Sequence, residues 1–319
     1  MVPSLTVLIC THDRAQLLAN ALASLNAARR PPGWSVDILV AANACHDGTH
    51  AMLDAYQQRS SAQGDLPLSW LSEPRPGKSN ALNTALPRVR ADVVAFVDDD
   101  HRVDSNYLAA LCRAAEAYPE ADLFCGRILP DWDGSEPAWV HDSGPYRIYP
   151  LPVPRFDQGD VGHELSADVA VPGGGNLAVR TAWIAKIGPF RTDMGPTGHD
   201  LGGAEDLDWV LRALALGARL RYVPDVVQHH FVDATRLTIG YLMKKAYKRT
   251  ASTVDLGGPA PIRKVPRYLY RKIAEYGVKA CTAIGTPRRR FYLVRSAAAL
   301  GELVGHLQSR RRPTSGPAR

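Results

Sequence analysis

The sequence predicts an α/β fold: a mostly parallel sheet flanked by helices over residues 1–234, then a helical, basic C-terminal appendage over residues 235–319. Three observations carry this expectation. Apolar, β-branched runs alternate with stretches of helical periodicity through the first hundred or so residues. The strand-like run "VVAFV" ends in three consecutive carboxylates, Asp98, Asp99 and Asp100. From about residue 235 the pattern turns to helices rich in Lys, Arg and Tyr.

The elements follow in order. "LTVLICT" reads as the first strand, and "AQLLANALASLNAA" as the helix after it, with Leu17, Leu18, Ala21, Leu22 and Leu25 at helical spacing. Pro31, Pro32 and Gly33 end that helix. "VDILVAANA" is the second strand, and the turn residues "HDG" open a second helix. "LPLSWLSEP", "KSNALNTALPRV" and "DVVAFVD" continue the alternation, and Asp104 is placed to cap a helix in "SNYLAALCRA". Residues from roughly 130 to 170, rich in Pro, Gly, Trp and Tyr, read as a long ordered loop with a functional role. "VPGGGNLAVRTAWIAKIG" then gives glycines, a short strand and a short helix. "AEDLDWVLRALALG" is an amphipathic helix closed by Gly217, and "ARLRYVPDVVQHHF" returns as a strand. Three further helices follow, and the tail "RPTSGPAR" reads as disordered.

A chain of 319 residues can bury one generous core and carry an appendage. Its 38 Lys and Arg against 32 acidic residues leave a formal charge of +6, which suits phosphorylated ligands or an anionic membrane surface. No aromatic-basic module or zinc spacing accompanies the cations, so nucleic acid is not the expected partner. Cys10, Cys45, Cys112, Cys125 and Cys281 show neither close pairing nor metal-ligand spacing, which points to reduced thiols in a cytoplasmic protein. No apolar run is long enough to cross a bilayer, so any membrane contact is expected to be peripheral, at the cytoplasmic face.

In a parallel α/β sheet the ligand crevice lies beyond the carboxyl ends of the strands. That rule puts Thr11, Asp13, Asn43 and Asp98 to Asp100 along one rim. Carboxylates there can hold a divalent cation, act as acid and base, or cap the next helix, and capping needs only one. On extended backbone Asp98 and Asp100 share a side while Asp99 points away, so the outer pair can share a cation. Hard oxygen ligands suit Mn²⁺ or Mg²⁺ bridging to substrate phosphates. A second acidic cluster, Glu205, Asp206 and Asp208, opens a helix, and capping does not explain all three. One of them can serve as a general base toward a hydroxyl. Adjacent His229 and His230 face opposite ways on a strand, so at most one enters a metal shell.

These landmarks, in this order, resemble glycosyltransferase family 2 and its GT-A fold: "ICTHDRAQLLANALASL", "ILVAANACHDGT", "RPGKSNALNTAL", "VAFVDDDHRVD", "VPGGGNLAVRTAWIAKIGPF" and "GAEDLDW". The resemblance covers roughly residues 5 to 232. It implies that residues 1–234 form a catalytic domain binding a nucleotide-sugar and Mn²⁺ or Mg²⁺. Thr11, Asp13 and Asp99 would lie near the nucleotide, Asn43 near its base, and Lys78 near the uracil or phosphates. Asp98 and Asp100 would be the metal pair, with His229 a further contact to metal or diphosphate. Asp206 would be the base, with Glu205 the next candidate. One departure stands out: Ala42 sits where many members carry an acidic nucleotide contact, and Asn43 is its expected substitute.

The implied reaction moves a hexose from a UDP-sugar to a hydroxyl of a glycan or lipid-linked acceptor, with inversion. Aromatic residues between Trp139 and Tyr149 are expected to help hold that acceptor, and the basic appendage to touch an anionic membrane peripherally. Two alternatives compete with it. A sugar-phosphate nucleotidyltransferase would open with a glycine-rich basic loop where this chain has "CTHDRAQ". A non-catalytic anionic-surface binder would draw on "KKAYKR", yet has no use for the full set of rim carboxylates.

Overall fold

Strand β1 (Ser4–Thr11) alternates its side chains between two apolar layers, with Leu5, Val7 and Ile9 in one buried cluster and Leu8 in the other. A strand buried on both faces must be covered by helices on both, and the next elements supply them. They are α1 (Ala15–Ala27), β2 (Ser35–Asn43), α2 (Thr49–Gln63), β3 (Leu68–Glu73), α3 (Lys78–Ala85) and β4 (Val93–Val97). Leu18, Leu22 and Leu25 of α1 enter the first cluster, while Ala81, Leu82 and Ala85 of α3 enter the second. The chain continues through β5 (His101–Val103), α4 (Tyr107–Ala117), β6 (Leu123–Asp131), β7 (His163–Leu165), β8 (Asn176–Arg180), α5 (Ile184–Ile187), α6 (Glu205–Ala215) and β9 (Leu220–Phe231). Three helices close it: α7 (Ile239–Thr253), α8 (Arg267–Thr282) and α9 (Thr286–Ser309). The computed structural model describes residues 2–166, 172, 174–193, 205–253 and 265–309.

The sheet runs β3-β2-β1-β4-β8-β6-β9-β5, with β7 also on β9. Its first four strands are parallel throughout, as the βα alternation requires. Beyond β4 the directions mix: β8 is antiparallel to both β4 and β6, and β9 is parallel to β6 but antiparallel to β5 and β7. The five cysteines are free thiols.

The chain forms two compact units. One comprises residues Met1–Asp131 with Pro154–Phe231, the other Trp132–Val153 with Val232–Arg319. The break at 231/232 lies close to the expected one at 234/235, but residues 132–153 depart from the expectation that they belong to the first domain. The reason is apolar: Val140 and Val153 bury themselves with Leu237, flanked by Trp132, Trp139, Leu151 and Val232. Asp142 also accepts a hydrogen bond from the Arg290 guanidinium at 2.6 Å. Within this second unit Trp139 lies under Arg290, 4.8 Å from its ring centroid, and Tyr146 packs on Phe291 and Tyr292 at 5.7 and 6.0 Å. These two rings are therefore used in packing, whereas Tyr149 remains exposed. No described helix is long and apolar enough to cross a membrane. The tail "RPTSGPAR" and residues 194–204, just before α6, lie outside the described residues.

Candidate active site

Strand β4 ends at Val97, and the next three residues form a tight turn instead of continuing extended. The His101 amide donates to the Asp98 carbonyl at 3.0 Å, and β5 then starts back along β9. The extended backbone expected here is thus corrected to a turn, which still brings Asp98 and Asp100 to the same imidazole while Asp99 goes to Thr11 and Arg14. Asp99, buried, accepts from the Thr11 hydroxyl at 2.8 Å and from Arg14 at 3.0 Å. Asp100 accepts from the same Arg14 nitrogen at 3.0 Å, and Asp98 from the Lys78 ammonium at 2.8 Å. Two protein cations therefore compensate three adjacent acids. Burial, then Asp100, pushes the Asp99 carboxyl up to about 6. Burial opposes ionisation of Asp98 too, but Lys78 and then His101 outweigh it and hold that carboxyl well below the usual range.

Strand β9 decides which histidine joins them. His101 on β5 stands directly opposite His230 on β9, so their rings emerge on one face with centroids 4.9 Å apart. Gln228, two residues before His230, shares that side, and its oxygen lies 2.6 Å from His101 Nδ1. The amide orientation follows from its surroundings: Gln228 Nε2 donates toward the Phe96 carbonyl at 3.2 Å, a group that can only accept. Nδ1 of His101 accordingly carries the proton, and Nε2 keeps its lone pair. Nε2 lies 3.9 Å from both Asp98 Oδ2 and Asp100 Oδ1, while His230 Nε2 lies 3.8 Å from Asp100 Oδ2. The expected contact from His229 is corrected to His230. Two-residue alternation turns His229 toward Arg102, Asp131 and Asp104, and burial followed by Arg102 lowers its pKa.

A lone pair and carboxylate oxygens converging on one region attract a cation. Ligand atoms of Asp100, His101 and His230 lie within 4.8 Å of one another. This mixed oxygen and imidazole set fits Mn²⁺ or Mg²⁺, with Asp98, Asp100, His101 and His230 the residues that would hold it. Gly175 supplies the back wall: a Cβ there would come within 2.7 Å of His101 Cε1 and 2.8 Å of Asp98 Oδ2.

Lys78, at the first turn of α3, links this cluster to the second acidic cluster. Its ammonium reaches Asp206 Oδ2 at 3.2 Å as well as Asp98. Burial alone would lower its pKa, but Asp206 and then Asp98 raise it well above its ordinary value. The Gly174 amide donates to the same Asp206 oxygen at 3.2 Å, and a Cβ at Gly174 would collide with the Asp206 carboxylate. Both contacts fall on Oδ2, so Oδ1 receives none among the described residues. Glu205 is buried, and its Oε2 has no hydrogen-bond partner among the described residues. Burial, then Asp206, pushes the Glu205 carboxyl up to about 7.

The remaining rim residues hold loops. Asp13, at φ 51°, accepts from the amides of His46 at 2.6 Å and Asp47 at 3.2 Å, which ties the β1–α1 loop to the β2–α2 loop. Asn43 donates to the carbonyls of Glu73 at 3.2 Å and Arg75 at 2.7 Å, and accepts from the Gly77 amide at 2.7 Å. Its amide hydrogens are spent on shaping the loop that delivers Lys78, so only acceptor capacity remains for a base. Sequence reading did not assign Arg14, His101, Gln228 or His230 to the site. The signals were slight: a cation in the first rim loop, and two histidines on segments whose pairing was not apparent.

Residues 6–187 match the family model of glycosyl transferase family 2. The succinoglycan biosynthesis protein ExoM of Rhizobium meliloti is 23% identical over 241 residues, 75% of this chain and 71% of that protein. TarS 1–349 of S. aureus, solved with UDP, superposes with a TM-score of 0.55 over 97% of this chain and 91% of its own, at 14% identity. The mannosyltransferase PcManGT of Pyrobaculum calidifontis, solved with GDP-Man and Mn²⁺, gives 0.53 over 94% and 87%, at 18% identity. With the match extending over more than half of its length, the chain belongs to glycosyl transferase family 2.

Proposed function

We propose that the protein is a metal-dependent transferase that moves a hexose from a UDP-sugar to a hydroxyl of a saccharide or lipid-linked acceptor, with inversion. The observation that carries the reading is the bridge at Lys78, which holds Asp206 and Asp98 on one ammonium, between a base and a cation cluster. Asp206 takes the acceptor proton. Its Oδ2 is anchored by Lys78 and the Gly174 amide, which leaves Oδ1 to meet the hydroxyl. Once Asp206 is protonated, the attraction that holds Lys78 to it weakens, and the ammonium can turn toward the departing diphosphate. Arg14 holds Asp99 and Asp100 in place, while Thr11 fixes Asp99 from the sheet side. A bound Mn²⁺ or Mg²⁺ would supply positive charge against the leaving diphosphate. UDP titration tests the reading: affinity should rise at least about tenfold from chelator to millimolar Mn²⁺, and equal affinities would overturn it.

The acceptor side of the proposal includes peripheral work at the cytoplasmic face of a membrane. Its support is α8, where exposed Tyr268 and Tyr270 stand beside exposed Arg271. Sedimentation with anionic vesicles at low salt, and release at high salt, is the expected behaviour. Protein that stays in the supernatant at low salt would point to a soluble acceptor.

A further inference from the structure

The second unit contains a groove of its own. On α7, Leu242, Lys245, Ala246, Arg249 and Thr250 recur at spacings of one, three and four, so they line one face. Phe291, Val294, Arg295 and Ala298 do the same on α9. Together with residues 147–152 they enclose about 510 Å³, within the usual size of a small-molecule site. The two helices are held at fixed approach beside it. A Cβ at Gly301 would collide with the Tyr247 carbonyl, and the Thr250 hydroxyl donates to the Ala298 carbonyl at 2.7 Å. The groove is therefore a feature of rigid packing between helices.

Its chemistry is lopsided. Arg147, Lys245, Arg249 and Arg295 line it, and no Asp or Glu is among the described lining residues. Burial lowers the Lys245 pKa, and Arg236 and Arg249 lower it further, as crowded cations do. The described carboxylates of this unit are engaged elsewhere: Asp142 with Arg290, Asp233 with Arg236, Glu275 with Lys279, and Glu302 with Lys272. Asp133 accepts from Ser135, and Glu136 lies 2.9 Å from His141. Apart from Thr250, whose hydroxyl donates to the Ala298 carbonyl, the rest of the lining is aliphatic, aromatic or proline, which offers a polar sugar few partners. Cations over apolar walls match a ligand with an anionic head and an apolar body.

We propose that this groove binds a phosphate-bearing amphiphile, its head among Lys245, Arg249 and Arg295 and its chain along Leu242, Phe291 and Val294. The site lies wholly within the second unit and does not depend on the transfer reading. The test uses full-length protein titrated with dodecyl phosphate below its micellar concentration, with dodecyl maltoside, and with inorganic phosphate. Dodecyl phosphate should bind saturably, at least about tenfold tighter than either comparison ligand. The pair Lys245→Gln with Arg295→Gln should weaken it about tenfold or more, and so should Ala246→Phe, which fills the groove while keeping its charge. Arg88→Gln, in the first unit and away from the lining, should leave affinity unchanged, and UDP affinity should be wild type in every variant. Equal binding of dodecyl phosphate and inorganic phosphate would reduce the groove to an anion site and overturn the proposal. So would equal binding of the two dodecyl compounds, or full affinity in the double variant. The wild-type comparison of the three ligands decides even if a variant fails to fold.

Discussion

Asp98, Asp99 and Asp100 meet Lys78 and Arg14 at 2.8 to 3.0 Å, whereas the described lining of the groove in the second unit gathers four cations and no carboxylate. In the first unit the acids are deep, where an uncompensated charge would cost several kcal/mol, so the fold supplies its own counter-charges. In the second the cations sit on long side chains at an open groove, where water screens them. A ligand of the first site must therefore displace or reorganise protein ion pairs, while a ligand of the groove meets cations that solvent already reaches.

The largest expected effect breaks the compensated side at its base. Asp206→Asn keeps the size and the Gly174 contact but cannot take a proton, so turnover should fall by about 10²–10⁴ with donor affinity close to wild type. Wild-type turnover in a single-turnover assay would move the base elsewhere, with Glu205 next.

A smaller effect sharpens the same side. Gln228→Leu frees the His101 tautomer without touching a carboxylate, so Mn²⁺ affinity, read from the electron paramagnetic resonance of free ion, should drop about 10–100-fold. Gln228→Glu keeps an acceptor toward Nδ1 and should recover part of that loss. Unchanged affinity in the Leu variant would detach His101 from the cation.

The smallest concerns Glu205, the one acid of its cluster that has no counter-charge contact among the described residues. Its folded pKa, about 7, lies above the ordinary 4.5, so folding favours the protonated form. That contribution is complete below about pH 4.5 and is lost as pH rises through about 7. Melting temperature should decline across this window more steeply in wild type than in Glu205→Gln. Parallel pH profiles would mean that Glu205 is compensated by a contact outside the described residues.

The order of elements from β1 to β4 and the helices of the second unit could be read from the sequence, because long periodic runs carry their own signal. Strands β5 and β7 could not, since three residues hold no periodicity. Strand β6 was missed for another reason: it is interrupted by Gly126, packed so tightly against the Val226 carbonyl that no Cβ fits. For the site, residue types at the rim pointed to the carboxylates, and only the family resemblance pointed to Lys78. The assignment of His230 over His229 could not be read locally: alternation says that one of the two faces the site, and only the pairing of β5 with β9 says which. Residues 132–153 were placed wrongly because their partners, Leu237 and Arg290, lie about a hundred residues or more away in sequence.

Gly174 and Gly175 act as a ruler. One backs the Asp206 carboxylate and the other backs Asp98 and His101, so the spacing of these two groups is gauged by a single peptide unit, about 3.8 Å between α-carbons. Neither group can drift without the other, and neither position can carry a side chain. A one-residue insertion or deletion at this dipeptide would change the gauge itself, whatever is altered in the loops around it.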